Sequence, residues 1–124
     1  MTTHNRTTAI YIRTAVHNRP GDQGLPAQER ACRAYAAVMG WRVGQVFADD
    51  GATGARRDRP GMSRLLAAVR DGIVERVLVA RPDRLSRSHA DIKAILHEME
   101  RRGVECVSVE QPTYLRASQR AESE

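Results

Sequence analysis

The sequence predicts an α/β domain: a mostly parallel sheet of four or slightly more strands, with helices on both faces. Three observations carry this. Short apolar runs of strand length alternate with longer stretches of helical period in the order β-α-β-α-β-α-β, which right-handed crossovers turn into a parallel sheet. Residues 76–80, RVLVA, are almost continuously apolar, as a central strand covered on both faces requires. Pro26 and Gly40 bracket the first helical stretch, and Gly103 closes the last one. A chain of 124 residues with 41% hydrophobic residues supports one core and is too short for two ordinary domains.

Taken in order, residues 1–7 are expected to be disordered and the domain to span 8–112. Thr8 to Arg13 (TAIYIR) reads as the first strand. Pro26 to Met39 reads as a helix, with Pro at its start, Gly40 just past its end, and Ala27, Ala31, Ala34, Tyr35 and Val38 as its apolar face. Trp41 to Ala48 supplies a second strand, with Trp41 and Phe47 expected in the core. The glycine- and aspartate-rich stretch 49–61 is a long loop ending at a helix start, and Met62, Leu65, Leu66 and Val69 face the core. After the central strand, Ser88 and Asp91 form a capping pair for a helix whose buried stripe is Ile92, Ile95, Leu96 and Met99, closed by Gly103. Val104 to Val109 is the fourth strand. The segment 113–124 lacks any apolar period and is expected to be a loose tail.

The excess of twenty basic over fifteen acidic residues, a formal +5, favours an anionic partner such as nucleic acid. Only Lys93 among the basic residues is a lysine, so a compositional preference for arginine could produce the same total, and position has to decide. Aromatics at 4% argue against a base-stacking platform. No apolar run approaches the roughly 18 residues of a membrane span, and the N-terminus has no apolar signal region, so a cytoplasmic protein is expected. Cys32 and Cys106 read as buried reduced thiols, the four histidines have no metal-binding spacing, and neither metal nor cofactor is expected.

In a parallel sheet the loops leaving the carboxyl ends of the strands emerge on one edge, where ligands bind. Three polar loops do so here, bringing Arg13, Arg56, Arg57, Arg59, Arg81, Arg84 and Arg87 to one rim together with Asp49, Asp50 and Asp83. Guanidinium forks pair with phosphate oxygens, so the rim is a candidate phosphate site; solvated loop charges paired with the aspartates are the plainer alternative. GATGARRD lacks the Gly-Lys-Ser/Thr ending of a nucleotide-binding loop.

The segments IYIR, FADDGATG, DRPGM, VLVARPDRLSRS and RRGVECVSV resemble, in order and spacing, the catalytic domain of the serine recombinases, the resolvase/invertase family. The resemblance implies cleavage and exchange of double-stranded DNA, without metal, through a phosphoserine link. It assigns Arg13, Gln28, Asp49, Arg59, Asp83, Arg84 and Arg87 to the catalytic group. The departure is the nucleophile. The family pattern Arg-x-Ser is here Arg13-Thr14-Ala15, and a methyl group cannot attack phosphorus. Thr14 stands one residue early, on the opposite face of the strand. The long dimerisation helix and DNA-binding part that the resemblance implies do not follow the fourth strand, so weak, non-specific DNA binding by a monomer or weak dimer is expected. The leading expectation is an inactive recombinase-like domain. A non-enzymatic module binding DNA or a full-length recombinase, and a binder of a small phosphorylated ligand, stay open.

Overall fold

In the computed structural model, residues 6–14, 24–50 and 59–117 are described. They form β1 (Thr7–Arg13), α1 (Leu25–Met39), β2 (Val43–Asp49), α2 (Pro60–Arg70), β3 (Val74–Val79), α3 (His89–Arg101), β4 (Glu105–Ser108) and β5 (Thr113–Leu115), with a single 3-10 turn at Pro82–Arg84 between β3 and α3. The strands make one sheet in the order β2-β1-β3-β4-β5, parallel except for β5, which runs antiparallel to β4. The expected parallel sheet is present, and β3 occupies its centre. No helix among the described residues is long and apolar enough to cross a membrane.

The sheet separates two apolar clusters. Tyr11, Val77, Val79 and Cys106 point toward α2 and α3, meeting Leu65, Val69, Ile95, Leu96 and Met99; Ile10, Ile12, Leu78 and Val107 point toward α1, meeting Cys32 and Ala36. Adjacent residues of one strand enter different clusters, as the two-residue period of a strand requires. The predicted stripes of α2 and α3 face the core, with Leu66 and Ile92 partly buried against it. Gly40 and Gly103 end their helices at φ +77° and +72°, a conformation that favours glycine.

Three expectations are corrected. The face that α1 buries is Gln28, Cys32 and Ala36, flanked by Leu25, Ala31 and Tyr35, while Ala34 is exposed and Val38 is 82% exposed. Alanines gain little from burial, so an alanine-rich helix is not rotationally fixed by its apolar period. Second, Trp41 precedes β2 instead of beginning it. Its ring packs edge-on to Tyr35 at 5.8 Å and carries the Arg76 guanidinium 3.9 Å from its centroid. Trp41 and Phe47 also enter different clusters. Between Thr8↔Val43 and Ile10↔Val46, β2 inserts one residue more than β1, and this bulge moves everything after it to the other face. Gly44 lies in the bulge, where a Cβ would fall 2.2 Å from the Thr7 hydroxyl oxygen.

Third, the segment expected to be loose from 113 begins with β5. Cys106↔Leu115, Val107↔Tyr114 and Ser108↔Thr113 pair across the turn, and beyond the strand the Ala117 amide donates to Glu100 Oε2 at 2.6 Å. A three-residue edge strand is too short for its side-chain alternation to register in sequence.

Candidate functional site

The strand order reverses direction at β1, whose neighbours β2 and β3 follow it on opposite sides, so the crevice beyond the carboxyl ends of β1 and β3 is where a parallel sheet opens. Pairing shows the opening directly. β1 remains in register with β2 as far as Arg13↔Asp49, but its register with β3 ends at Ile10↔Leu78. The Thr14 amide donates to the Asp49 carbonyl on the β2 side, so the N–H and C=O of Arg13 face the side from which β3 has departed. Gln28 fills that place. Its Oε1 accepts from the Arg13 amide at 3.1 Å and its Nε2 donates to the Arg13 carbonyl at 3.0 Å, so one fully buried side chain of α1 replaces the missing strand partner.

Arg13 is 4% exposed. Its Nε donates to the Arg84 carbonyl at 3.1 Å and its Nη2 to the Asp83 carbonyl at 2.7 Å, which ties the end of β1 to the 3-10 turn after β3. Arg84 reaches back, donating through Nη1 to the Arg13 carbonyl at 3.3 Å. Its Nε and Nη2 are buried and find no hydrogen-bond partner among the described residues; the Asp83 carboxylate stands 4.0 Å from Nε. Burial pulls the pKa of Arg13 below its ordinary value; the nearby Tyr11 opposes this, and the positive charges of Arg59, Arg87 and Arg84 reinforce it. A buried cation beside other cations, next to Arg84 donors that have no hydrogen-bond partner among the described residues, is electrostatically suited to an anion.

Arg59 occupies the N-cap of α2. It donates through Nη1 to the Leu85 carbonyl and through Nη2 to the Asp91 carboxylate at 2.9 Å, linking α2, the turn and α3. Asp91 thus gives its amide to the Ser88 hydroxyl at 3.2 Å as a helix cap, while its carboxylate serves Arg59. Ser88 fulfils the expected capping role, but its own amide goes to Ser86 Oγ at 3.0 Å, so the box is one-sided. Arg87 is exposed at the rim. Arg81 is half-buried and pairs with the largely exposed Asp83 carboxylate at 3.3 Å.

Asp49 belongs to the interior. Its carboxylate accepts the Gly61 amide at 2.7 Å, the Met62 amide at 2.9 Å and the Tyr11 phenol at 2.6 Å. Thr14 is 4% exposed and its hydroxyl donates to Asp50 at 3.2 Å, between the ends of β1 and β2, whereas the Arg13 guanidinium is turned to the β3 side. Of the residues singled out in the sequence, Arg13, Gln28, Arg59, Asp83, Arg84 and Arg87 gather at one crevice, Asp49 lies beneath it, and Ala15, Arg56 and Arg57 fall outside the described residues. Tyr11, read as simple packing, and Asp91, read as a cap, were the participants that sequence reasoning missed. The signal for Tyr11 was a phenol inside an apolar strand, which needs a hydrogen-bond partner once buried.

A family model described as the N-terminal domain of resolvase matches residues 8–123. The chain is 33% identical over 91 residues to the Tn552 DNA-invertase BinR of Staphylococcus aureus, and 31% identical over 91 residues to the Tn552 resolvase of the same organism. Each match takes in 73% of this chain but only 43% and 42% of those proteins. Among solved structures, the N-terminal catalytic domain of TP901-1 integrase superposes with a TM-score of 0.77 at 29% identity, over 86% of this chain and 79% of that one. A resolvase family site-specific recombinase from Streptococcus pneumoniae shares the fold with a TM-score of 0.76 at 23% identity, over 94% and 78%.

Proposed function

The chain belongs to the resolvase N-terminal domain family, the catalytic domain of the serine recombinases, and from that premise we propose that it holds a DNA phosphodiester on Arg13, Arg59, Arg84 and Arg87 without becoming covalently joined to it. The observation that carries the binding half is Arg84, a 7%-exposed guanidinium with two nitrogens lacking hydrogen-bond partners among the described residues. Leaving buried donors of a charged group unpaired is costly, and phosphate oxygens are acceptors of matching geometry. The other half follows from position 15. Electrostatic stabilisation of a phosphate accelerates reaction by roughly 10²–10³ per donor but supplies no attacking atom, and Ala15 has none. The Thr14 hydroxyl, engaged with Asp50 on the far side of β1 from the Arg13 guanidinium, is poorly aimed to replace it.

A domain that occupies a phosphate without cutting suits a regulatory partner of DNA or of an active recombinase, and the missing hydroxyl is the observation favouring that role. The test uses a short nicked duplex. Wild type should bind it with an affinity that falls steeply with salt and should yield no denaturation-resistant adduct. Arg84→Ala should weaken binding, and Ala15→Ser fused to a dimerising DNA-binding domain should yield an adduct. A wild-type adduct that disappears in Thr14→Ala would overturn the non-covalent reading, and salt-insensitive binding unaffected by Arg84→Ala would overturn the phosphate site.

A further inference from the structure

We infer that Tyr11 is a positioning residue for the phosphate site, acting through Asp49 and the first turn of α2 on Arg59; the inference rests on the phosphate-binding reading above. Asp49 is the connecting group. Both of its carboxylate oxygens are taken by internal donors: Oδ1 by the Gly61 amide, Oδ2 by the Met62 amide and the Tyr11 phenol. An anion so engaged, 7% exposed, is aimed away from a bound phosphate and would repel one if it turned outward.

What these bonds do is fix a helix end. The N-cap residue of α2 is Arg59, whose side chain makes no capping bond, and the first turn carries no acidic residue of its own. The amides left over at a helix start must be satisfied, and here Asp49 does so from the end of β2. Contact is close enough that a Cβ on Gly61 would lie 2.4 Å from the Ala48 carbonyl oxygen, so α2 begins directly on the β2 backbone. With that turn pinned, Arg59 leaves the helix at a fixed point and reaches Leu85 and Asp91.

Tyr11 locks the arrangement from below. It is fully buried on β1, and its 2.6 Å bond to a carboxylate has the short length of a charge-assisted interaction. Burial and the neighbouring Asp49 both push the phenol pKa upward, so it stays a proton donor throughout the working pH range. Residues 11, 49, 59, 61 and 62 thereby form one unit. The stretch Arg59-Pro60-Gly61-Met62 supplies the arginine, the helix-starting proline, the close approach and a buried anchor.

The experiment is a double-mutant cycle in the full chain, read by titration with inorganic phosphate and with the nicked duplex. Tyr11→Phe keeps the ring and removes only the hydroxyl. Phosphate affinity should fall roughly three- to tenfold in Tyr11→Phe, and should fall further still in Arg59→Gln. The double variant should bind no worse than Arg59→Gln alone. A purely packing role for Tyr11 would leave the affinity of Tyr11→Phe unchanged, and a general loosening of the fold would make the two losses add; either result overturns the inference and leaves the phosphate site standing. A second readout is the Arg59 Nε–H resonance of the ligand-free protein, expected to shift or broaden in Tyr11→Phe. If wild type binds no phosphate, the phosphate-site reading itself fails, and an unshifted Arg59 resonance would then overturn the mechanical link independently.

Discussion

Replacing Gln28 by leucine tests whether the end of β1 is held by a side chain acting as a strand. Leucine approximates the volume of glutamine, so the space Gln28 fills between α1 and the sheet is largely kept while its two contacts to the Arg13 backbone are lost. The Arg13 amide, bonded to Oε1 at 3.1 Å, would be left buried without that acceptor, at a cost of about 1–3 kcal/mol. The Arg13 carbonyl loses Nε2 at 3.0 Å but keeps Arg84 Nη1 at 3.3 Å, so this second loss is nearer ~0.5–1 kcal/mol. Together these losses come to about 1.5–4 kcal/mol. With a mid-range urea m-value of about 2 kcal/mol per M, the unfolding midpoint should fall by roughly 0.7–2 M with m unchanged. Gln28→Ala should cost more, by about 1–2 kcal/mol for the cavity. Equilibrium unfolding followed by far-UV circular dichroism measures both. If Gln28→Leu stays within about 0.5 kcal/mol of wild type, the amide clamp contributes little and the argument for it is wrong.

Two further outcomes follow from buried groups elsewhere. Gly61→Ala should destabilise the fold by about 1–3 kcal/mol, because its Cβ would meet the Ala48 carbonyl oxygen at 2.4 Å, while Gly24→Ala, whose Cβ would meet only Pro26 Cδ at 3.7 Å, should be much milder; equal thermal shifts would contradict the close approach of α2 to β2. Burial pushes the thiols of Cys32 and Cys106 from 9.0 up to about 12. Above pH 9 the unfolded chain loses these protons and the folded chain keeps them, so their contribution to stability is fully present below pH 9 and declines between pH 9 and about 12. Replacing both by alanine should flatten that alkaline decline in urea titrations, and an unchanged slope would show that the thiols are not its source.

The residue pattern alone is enough for the alternation of strands and helices, because apolar period and the helix-bounding glycines and prolines are local properties. It also brings Arg13, Arg59, Arg84 and Arg87 to one edge, since connection order in a parallel sheet decides which loops lie together. That position 15 is an alanine was legible too, being a matter of identity at one site. Relations that depend on distance between segments emerge only in the fold. The rotation of α1 is an example: its alanines could not select a face, whereas Gln28 could, but only once β3 had diverged from β1 and left Arg13 to be satisfied. The bulge at Gly44 sent Val46 and Phe47 to faces that simple alternation assigns the other way, because one inserted residue inverts the parity of all that follow. Asp49 shows the same limit in the site itself. In sequence it is one more acidic loop residue among arginines, and its three partners come from β1 and the first turn of α2, 38, 12 and 13 residues away. A carboxylate's role is set by which donors reach it, and folding brings those donors together from across the chain.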